Sequence, residues 1–510
     1  MRPGMNEPNS NSTAVELVGT GVHGLDEVLE GGLPADRLYL IEGTAGTGKT
    51  TLGLQFLLEG HARGEACLYV TLSESREELD AVAASHGWSL GGVHVLELLI
   101  SEDALKREST YTIFEPSEVE LSDTVARVLA EVDRVKPVRV VLDSLSEFRL
   151  LAQSLLRYRR QTLALKQFFM GRNCTVLLLN DRHPGEADVQ LHSIAHGVIV
   201  LDQLTAEFGG AKRRLNVVKL RGRTYQSGFH DFVIATGGLA VFPRLVAARH
   251  SHRISDGPLL SGVAGIDALM GGGIDRGTGT MLVGPAGSGK STLALQYAVA
   301  AAARGERAAA YLFDERPHTL LKRLDGLNIP LRKYVESGHV TIRQIDPAEF
   351  SPGELASIIQ AAVEPPSGDG ARVVVIDSLN GYVQSMPEER FLNVQLHELL
   401  TYLAQLGVVT FLIVAQPGLV GTNLQAPFDA SYLVDAVVLL RHFESNGRIH
   451  QAISTIKRRT GPHERMLREF GFNESGIVVG EPLIEYQGVL NGSAIDGATF
   501  PAVALRGQPP

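Results

Sequence analysis

Cysteine is almost absent: Cys67 and Cys174 are the whole complement, each inside an apolar run, ACLYV and CTVLLLN. Thiols so placed read as buried core residues in a reducing compartment rather than as a disulfide framework or metal ligands. An excess of positive charge is lacking too. With 47 Lys plus Arg against 57 Asp plus Glu, the net charge is −10, which argues against a surface devoted to nucleic acid. No segment approaches the roughly 18 apolar residues of a membrane span, so no membrane partner is expected. The polar opening MRPGMNEPNSNSTAV lacks the apolar stretch of a secretion signal, and a cytoplasmic location is expected.

What is present is a repeat. The pair GVHGLDEVLEGGL and LIEGTAGTGKTTLGLQF recurs as GVAGIDALMGGGI and LVGPAGSGKSTLALQY. Gly43 and Gly284, Lys49 and Lys290, and Glu74 and Glu315 all stand at one constant separation, far longer than a solenoid period, which marks a duplicated domain. A chain of 510 residues can form two large cores. In each copy, short apolar runs alternate with longer amphipathic ones, as in βα units around a parallel sheet. LYLIEG, CLYVTL, VRVVLDS and CTVLLLN are the expected central strands of the first copy, and TMLVG, AAYLF, RVVVIDS and VVTFLIVA those of the second. Their near-continuous hydrophobicity suits strands covered on both faces. The expected fold class is α/β, with two tandem phosphate-loop domains, each a mostly parallel sheet flanked by helices. The expected divisions are a flexible N-terminus over 1–15, a first domain over 16–243, a solvated linker over 244–257, a second domain over 258–489 and a tail over 490–510.

Gly43, Thr44, Ala45, Gly46, Thr47, Gly48, Lys49 and Thr50 complete the GxxxxGK[ST] pattern between an apolar strand and a helix that continues at Thr51. Glycines let backbone N–H groups turn in around phosphate oxygens, the helix N-terminus adds positive potential, the lysine reaches the terminal phosphates and the hydroxyl helps hold magnesium. Gly284, Pro285, Ala286, Gly287, Ser288, Gly289, Lys290 and Ser291, followed by Thr292, repeat the pattern. ATP and Mg²⁺ are therefore the expected ligands. In each copy an apolar strand ends in aspartate, Asp143 and Asp377, where a carboxylate can orient the metal with Thr50 or Ser291. Acids able to position or deprotonate water end the strand after the phosphate loop: Glu74 after Ser73 in the first copy, Asp314 and Glu315 in the second.

The duplicated loops, the GxxGLDxxLxGG entry segment, KLRG at 219–222 and REF at 468–470 together make the chain resemble the double-domain KaiC family, RecA-like in fold, from about Gly19 to Val489. The resemblance implies a homohexamer of two stacked rings with ATP between neighbouring subunits. It implies that Lys219, Arg221, Lys457 and Arg459 are offered to the neighbour's nucleotide, where cations stabilise transferring phosphoryl groups. It also implies a serine/threonine autokinase in the second ring, whose phosphorylation pair falls on Ser431 and Tyr432, with Asp314 at the base position and Glu74 the better first-ring acid. This sequence departs from the family at Tyr432, where threonine is usual, and at Asp314 and Ser73, where glutamate is usual. The ending after REF does not resemble the KaiA-binding tail of cyanobacterial clock proteins, so the family's other bacterial relatives are nearer, and a KaiB-like or signalling-protein partner is implied. A RecA-like recombinase or helicase acting on DNA and a nucleotide-gated scaffold stay open as alternatives. The stretches after the aspartate strands, with Arg157, Arg159 and Arg160 in the first and near neutrality in the second, lack the basic, glycine-rich loops of a DNA channel.

Overall fold

In a computed structural model the chain forms two compact units, Met1–Arg244 and Leu245–Pro510. The structure describes residues 16–98, 116–152, 154–182, 189–204, 209–250, 257–346, 348–384, 392–416, 431–445, 447–474, 476–491 and 495–496. The N-terminal stretch 1–15 and most of the 490–510 tail lie outside these, as do His252 and Arg253 of the expected linker.

Among the described residues the first unit is built on a nine-stranded sheet. Its strands are β1 (Leu38–Gly43), β2 (Cys67–Thr71), β3 (His94–Glu97), β4 (Arg139–Asp143), β5 (Thr175–Asp181), β6 (Gly197–Leu204), β7 (Lys212–Leu220), β8 (Phe229–Ala235) and β9 (Gly238–Phe242). The order is β3-β2-β4-β5-β1-β6-β7-β8-β9. From β3 to β6 all pairings are parallel, and β7 to β9 extend the edge as an antiparallel meander. Every residue of β1 is buried because the strand is covered on both faces. Tyr39 and Ile41 face a cluster with Leu52, Phe56 and Leu57 of α1 (Lys49–Ala62), while Leu38 and Leu40 face one with Val128, Phe148 and Leu165. Each such buried aliphatic side chain contributes about 1.5–3 kcal/mol.

The second unit repeats the order strand for strand: β12-β11-β13-β14-β10-β15-β16-β17-β18. These are β10 (Gly279–Gly284), β11 (Arg307–Leu312), β12 (Val340–Gln344), β13 (Ala371–Asp377), β14 (Val409–Ala415), β15 (Ala436–Ser445), β16 (Arg448–Arg458), β17 (Arg468–Asn473) and β18 (Gly476–Pro482). All eight runs read as central strands from the sequence are strands, and both cysteines are buried.

Part of the expected solvated linker is packed instead. Ala247 is buried, its N–H donates to Glu398 at 3.1 Å, and the His250 ring meets Tyr402 with centroids 4.6 Å apart. The segment is polar in composition, but its short apolar stretch Leu245–Ala247 finds the apolar face of the helix Leu392–Gln405.

Candidate active site

Each unit carries its phosphate loop where the central parallel strand ends and a helix begins. In the first, Gly48 has φ 95 and caps α1, and a Cβ there would come within 2.6 Å of Ile234. In the second, Gly289 has φ 94 at the start of α2 (Lys290–Ala303), and a Cβ would strike Phe472 at 2.6 Å. Only glycine meets both demands, a left-handed backbone and a bulky apolar side chain pressed against it.

The expected first-unit residues converge. Lys49 Nζ donates to the carbonyls of Gly43 at 3.0 Å and Thr44 at 2.9 Å, and pairs with Asp181 at 2.9 Å. Thr50 Oγ1 donates to Asp143 Oδ2 at 3.0 Å, and the Tyr69 hydroxyl donates to the same oxygen at 2.5 Å. Burial raises the Asp143 carboxyl despite these two donors. Glu74 is raised as well, first by burial and then by the charge of Asp143. Glu74 Oε2 is buried without a hydrogen-bond partner among the described residues.

The second unit uses the same backbone and different neighbours. Lys290 Nζ donates to Gly284 at 2.9 Å and Pro285 at 2.7 Å. Ala415 stands beside Gly284 in the register that puts Asp181 beside Gly43. Without that carboxylate, burial lowers Lys290 to about 8, opposed in part by Asp377. Burial raises Asp377 to about 6, against a hydrogen bond from Ser291. Asp314 accepts from the Ser378 hydroxyl at 2.6 Å, and Glu315 is paired with Arg323 at 2.8 Å. An open cleft of about 800 Å³ lies over the loop, lined by Lys290, Ser291, Glu315, Lys322, Arg323 and Phe472 among others, a volume suited to a nucleotide.

Magnesium fits the donors present. One carboxylate and one hydroxyl per unit, Asp143 with Thr50 and Asp377 with Ser291, suit an ion held mainly by phosphate oxygens and water rather than by a protein cage. Among the described residues no group of three or more His, Cys, Asp or Glu is arranged for a metal.

The four cations and the two hydroxyl residues lie elsewhere, at the edge where the parallel strands start. Lys457 Nζ donates to the carbonyls of Ser431 at 2.6 Å and Val434 at 2.8 Å, and Arg459 donates to that of Tyr432 at 2.8 Å. In the first unit Lys219 donates to His192 and, at 2.8 Å, to Ala195, and Arg221 donates to Ser193 at 2.9 Å. His192 and Ser193 are thus the first unit's counterparts of Ser431 and Tyr432. Asp435 is joined to Gly279, at the start of β10, whereas the phosphate loop follows Gly284 at its finish. At about 3.3 Å per residue the two edges are on the order of 15 Å apart. Tyr432 is exposed and Ser431 half-buried.

Sequence reasoning missed Asp181, Tyr69 and Arg323. Asp181 had a signal, an acid closing the apolar run LLLND, but its partner is set by strand order. Arg323 lies eight residues beyond Glu315, about two turns into α3 (Pro317–Asp325), which begins after Glu315.

A sheet whose central parallel strand delivers a glycine-rich loop into a helix, with a lysine, a hydroxyl and a strand-end aspartate converging there, defines a P-loop ATPase of RecA-like fold, here duplicated. The family model "ATPase: KaiC" matches twice, over residues 18–246 and 259–484, and the chain belongs to the KaiC ATPase family. It is 28% identical over 498 residues to the circadian clock protein KaiC2 of Synechocystis sp., covering 95% of this chain and 85% of that one. It is 25% identical over 507 residues to the circadian clock oscillator protein KaiC of Rippkaea orientalis, covering 96% and 95%, and 24% identical over 520 residues to KaiC3 of Synechocystis sp., covering 98% of each. ATP binding and ATPase chemistry follow from the family. No helix among the described residues is long and apolar enough to cross a membrane.

Proposed function

We propose that this chain is a ring-forming ATPase, a homohexamer by its relationship to KaiC, whose second unit phosphorylates Ser431 of an adjacent copy and which serves signalling or clock-like regulation through a KaiB-like or signalling-protein partner. The observation that supports it most is the separation within one unit. Ser431, Lys457 and Arg459 sit at the strand-start edge, while the phosphate loop sits at the strand-finish edge. A copy cannot bring its own Ser431 to its own loop without dismantling β10 and β15, whereas the start edge of one copy can face the loop of another.

Within such a pair, Lys290 and the loop N–H groups hold the phosphates, and Asp377 with Ser291 would hold magnesium. When bound, the metal draws charge from the phosphate oxygens. Ser431 Oγ forms a bond to the terminal phosphorus as the bond to the ADP oxygen breaks, and Asp314 takes the hydroxyl proton. Its present partner, the Ser378 hydroxyl, leaves a second carboxylate oxygen for that task. In the first unit Glu74, raised and with Oε2 unpartnered, orients and deprotonates water instead. Lys457 and Arg459, with Lys219 and Arg221 in the first unit, add positive charge from the neighbour.

Native mass with and without magnesium ATP, followed by peptide mapping, tests this. Hexamers that carry phosphate on Ser431, lost in Ser431→Ala and strongly reduced in Asp314→Asn, are expected. A chain that stays monomeric at saturating magnesium ATP, or an active hexamer with phosphate only on Tyr432 or nowhere, contradicts it.

A further inference from the structure

The two phosphate loops are near copies, yet the acids beside them are held differently. Glu315 is gripped by the fork of Arg323, Nη2 to Oε2 at 2.8 Å and Nε to Oε1 at 3.3 Å. The third nitrogen, Nη1, donates to the hydroxyl of Thr292 on α2 at 2.5 Å, so the guanidinium ties the acid to the loop's own helix. The repeat places Val82, on the first unit's helix Arg76–Ser85, where Arg323 stands. Val82 packs partly buried against the apolar core, and Glu74 Oε2 has no partner. Among the described residues the arginine clamp is thus present on one acid and absent from the other, on an otherwise repeated scaffold.

We propose that Arg323 is a positioning residue that withholds Glu315 from water, so that the second unit hydrolyses ATP slowly and keeps the terminal phosphoryl group for a hydroxyl acceptor. A bidentate guanidinium–carboxylate pair occupies a lone pair on each oxygen and fixes the plane of the carboxylate. Guanidinium does not deprotonate in proteins, so the grip does not loosen as pH rises. An acid so held is a poor acceptor for the proton of an attacking water, whereas Asp314, bound only to a serine hydroxyl, stays available. The inference rests on the assignment of Glu74 and Glu315 as the acids beside the attacking oxygen.

Full-length single-site enzymes separate the two. Lys49→Ala protein reports the second unit and Lys290→Ala protein the first. In the Lys49→Ala background, Arg323→Val raises kcat for ATP hydrolysis about tenfold, a part of the roughly 10²–10⁴-fold that a general base supplies, with KM for ATP within about twofold. Arg323→Lys, a point charge that cannot fork, falls between. The reciprocal Val82→Arg in the Lys290→Ala background lowers kcat, and adding Glu315→Gln to Arg323→Val erases the gain. A rise in KM with kcat unchanged or lower in Arg323→Val means that Arg323 grips nucleotide rather than Glu315, and overturns the inference. The underlying assignment fails separately if Glu74→Gln leaves turnover unchanged in the Lys290→Ala background.

Discussion

ATP binding by the second unit depends on pH through Lys290. Among the described residues its ammonium donates to the carbonyls of Gly284 and Pro285, and burial holds it down to about 8. Phosphate oxygens placed against the nitrogen favour the charged form, so the complex keeps the proton over the whole working range. The sign follows: a cation that is depressed when empty and restored when bound gives full affinity below pH 8 and loses it as pH rises above 8. Between pH 7 and pH 9 the dissociation constant should rise about tenfold, ~1.4 kcal/mol, and at pH 8 about half a proton should be taken up per ATP bound. Lys49→Ala protein isolates this site, and isothermal calorimetry in two buffers of different ionisation enthalpy reads affinity and proton uptake together. A dissociation constant flat from pH 7 to pH 9, with equal heats in the two buffers, would refute the reasoning.

Lys49→Ala and Lys290→Ala should each remove part of the ATPase activity and the double variant nearly all of it, since each lysine belongs to its own loop; wild-type turnover in the double variant would remove both assignments. Arg441 is buried on β15 with Nε and Nη2 unpartnered among the described residues, so Arg441→Met should stabilise the second unit by about 1 kcal/mol, roughly 2–4 °C in the melting temperature of a domain this size. A lower melting temperature in a thermal scan of the empty protein would show that the guanidinium is not a burden on the fold.

Much of the architecture is legible from the residues, because strands covered on both faces must be apolar throughout and the glycine-rich loops sit directly after two of them. Asp143 and Asp377 announce themselves by ending such strands. What was not legible depends on adjacency between strands distant in sequence. Asp181 meets Lys49 because β5 lies beside β1, and nothing in the local pattern around either residue states that order. The meander β7–β9 is a second case, since its strands are half-exposed and mixed in character, as in the burial of Phe229–Ala235. The clamp on Glu315 has no helical-spacing signature, because Glu315 lies before the helix Pro317–Asp325 and Arg323 within it; the meeting of Arg323 with Thr292 ties it to the phosphate loop. Which edge of the sheet carries Ser431 follows from the parallel pairing of β15 with β10, and that placement turns an assigned hydroxyl into an argument for a second copy.

That argument is tested most directly by mixing two variants. Ser431→Ala copies keep a working second-unit loop but have no acceptor, and Lys290→Ala copies, carrying a mass tag, keep Ser431 but cannot present the phosphoryl group. With magnesium ATP, neither should carry phosphate at position 431 alone. In mixed rings the tagged Lys290→Ala copies should carry it on Ser431. Tagged copies that stay unmodified in mixed rings, while wild-type rings are phosphorylated on Ser431, would contradict transfer between copies.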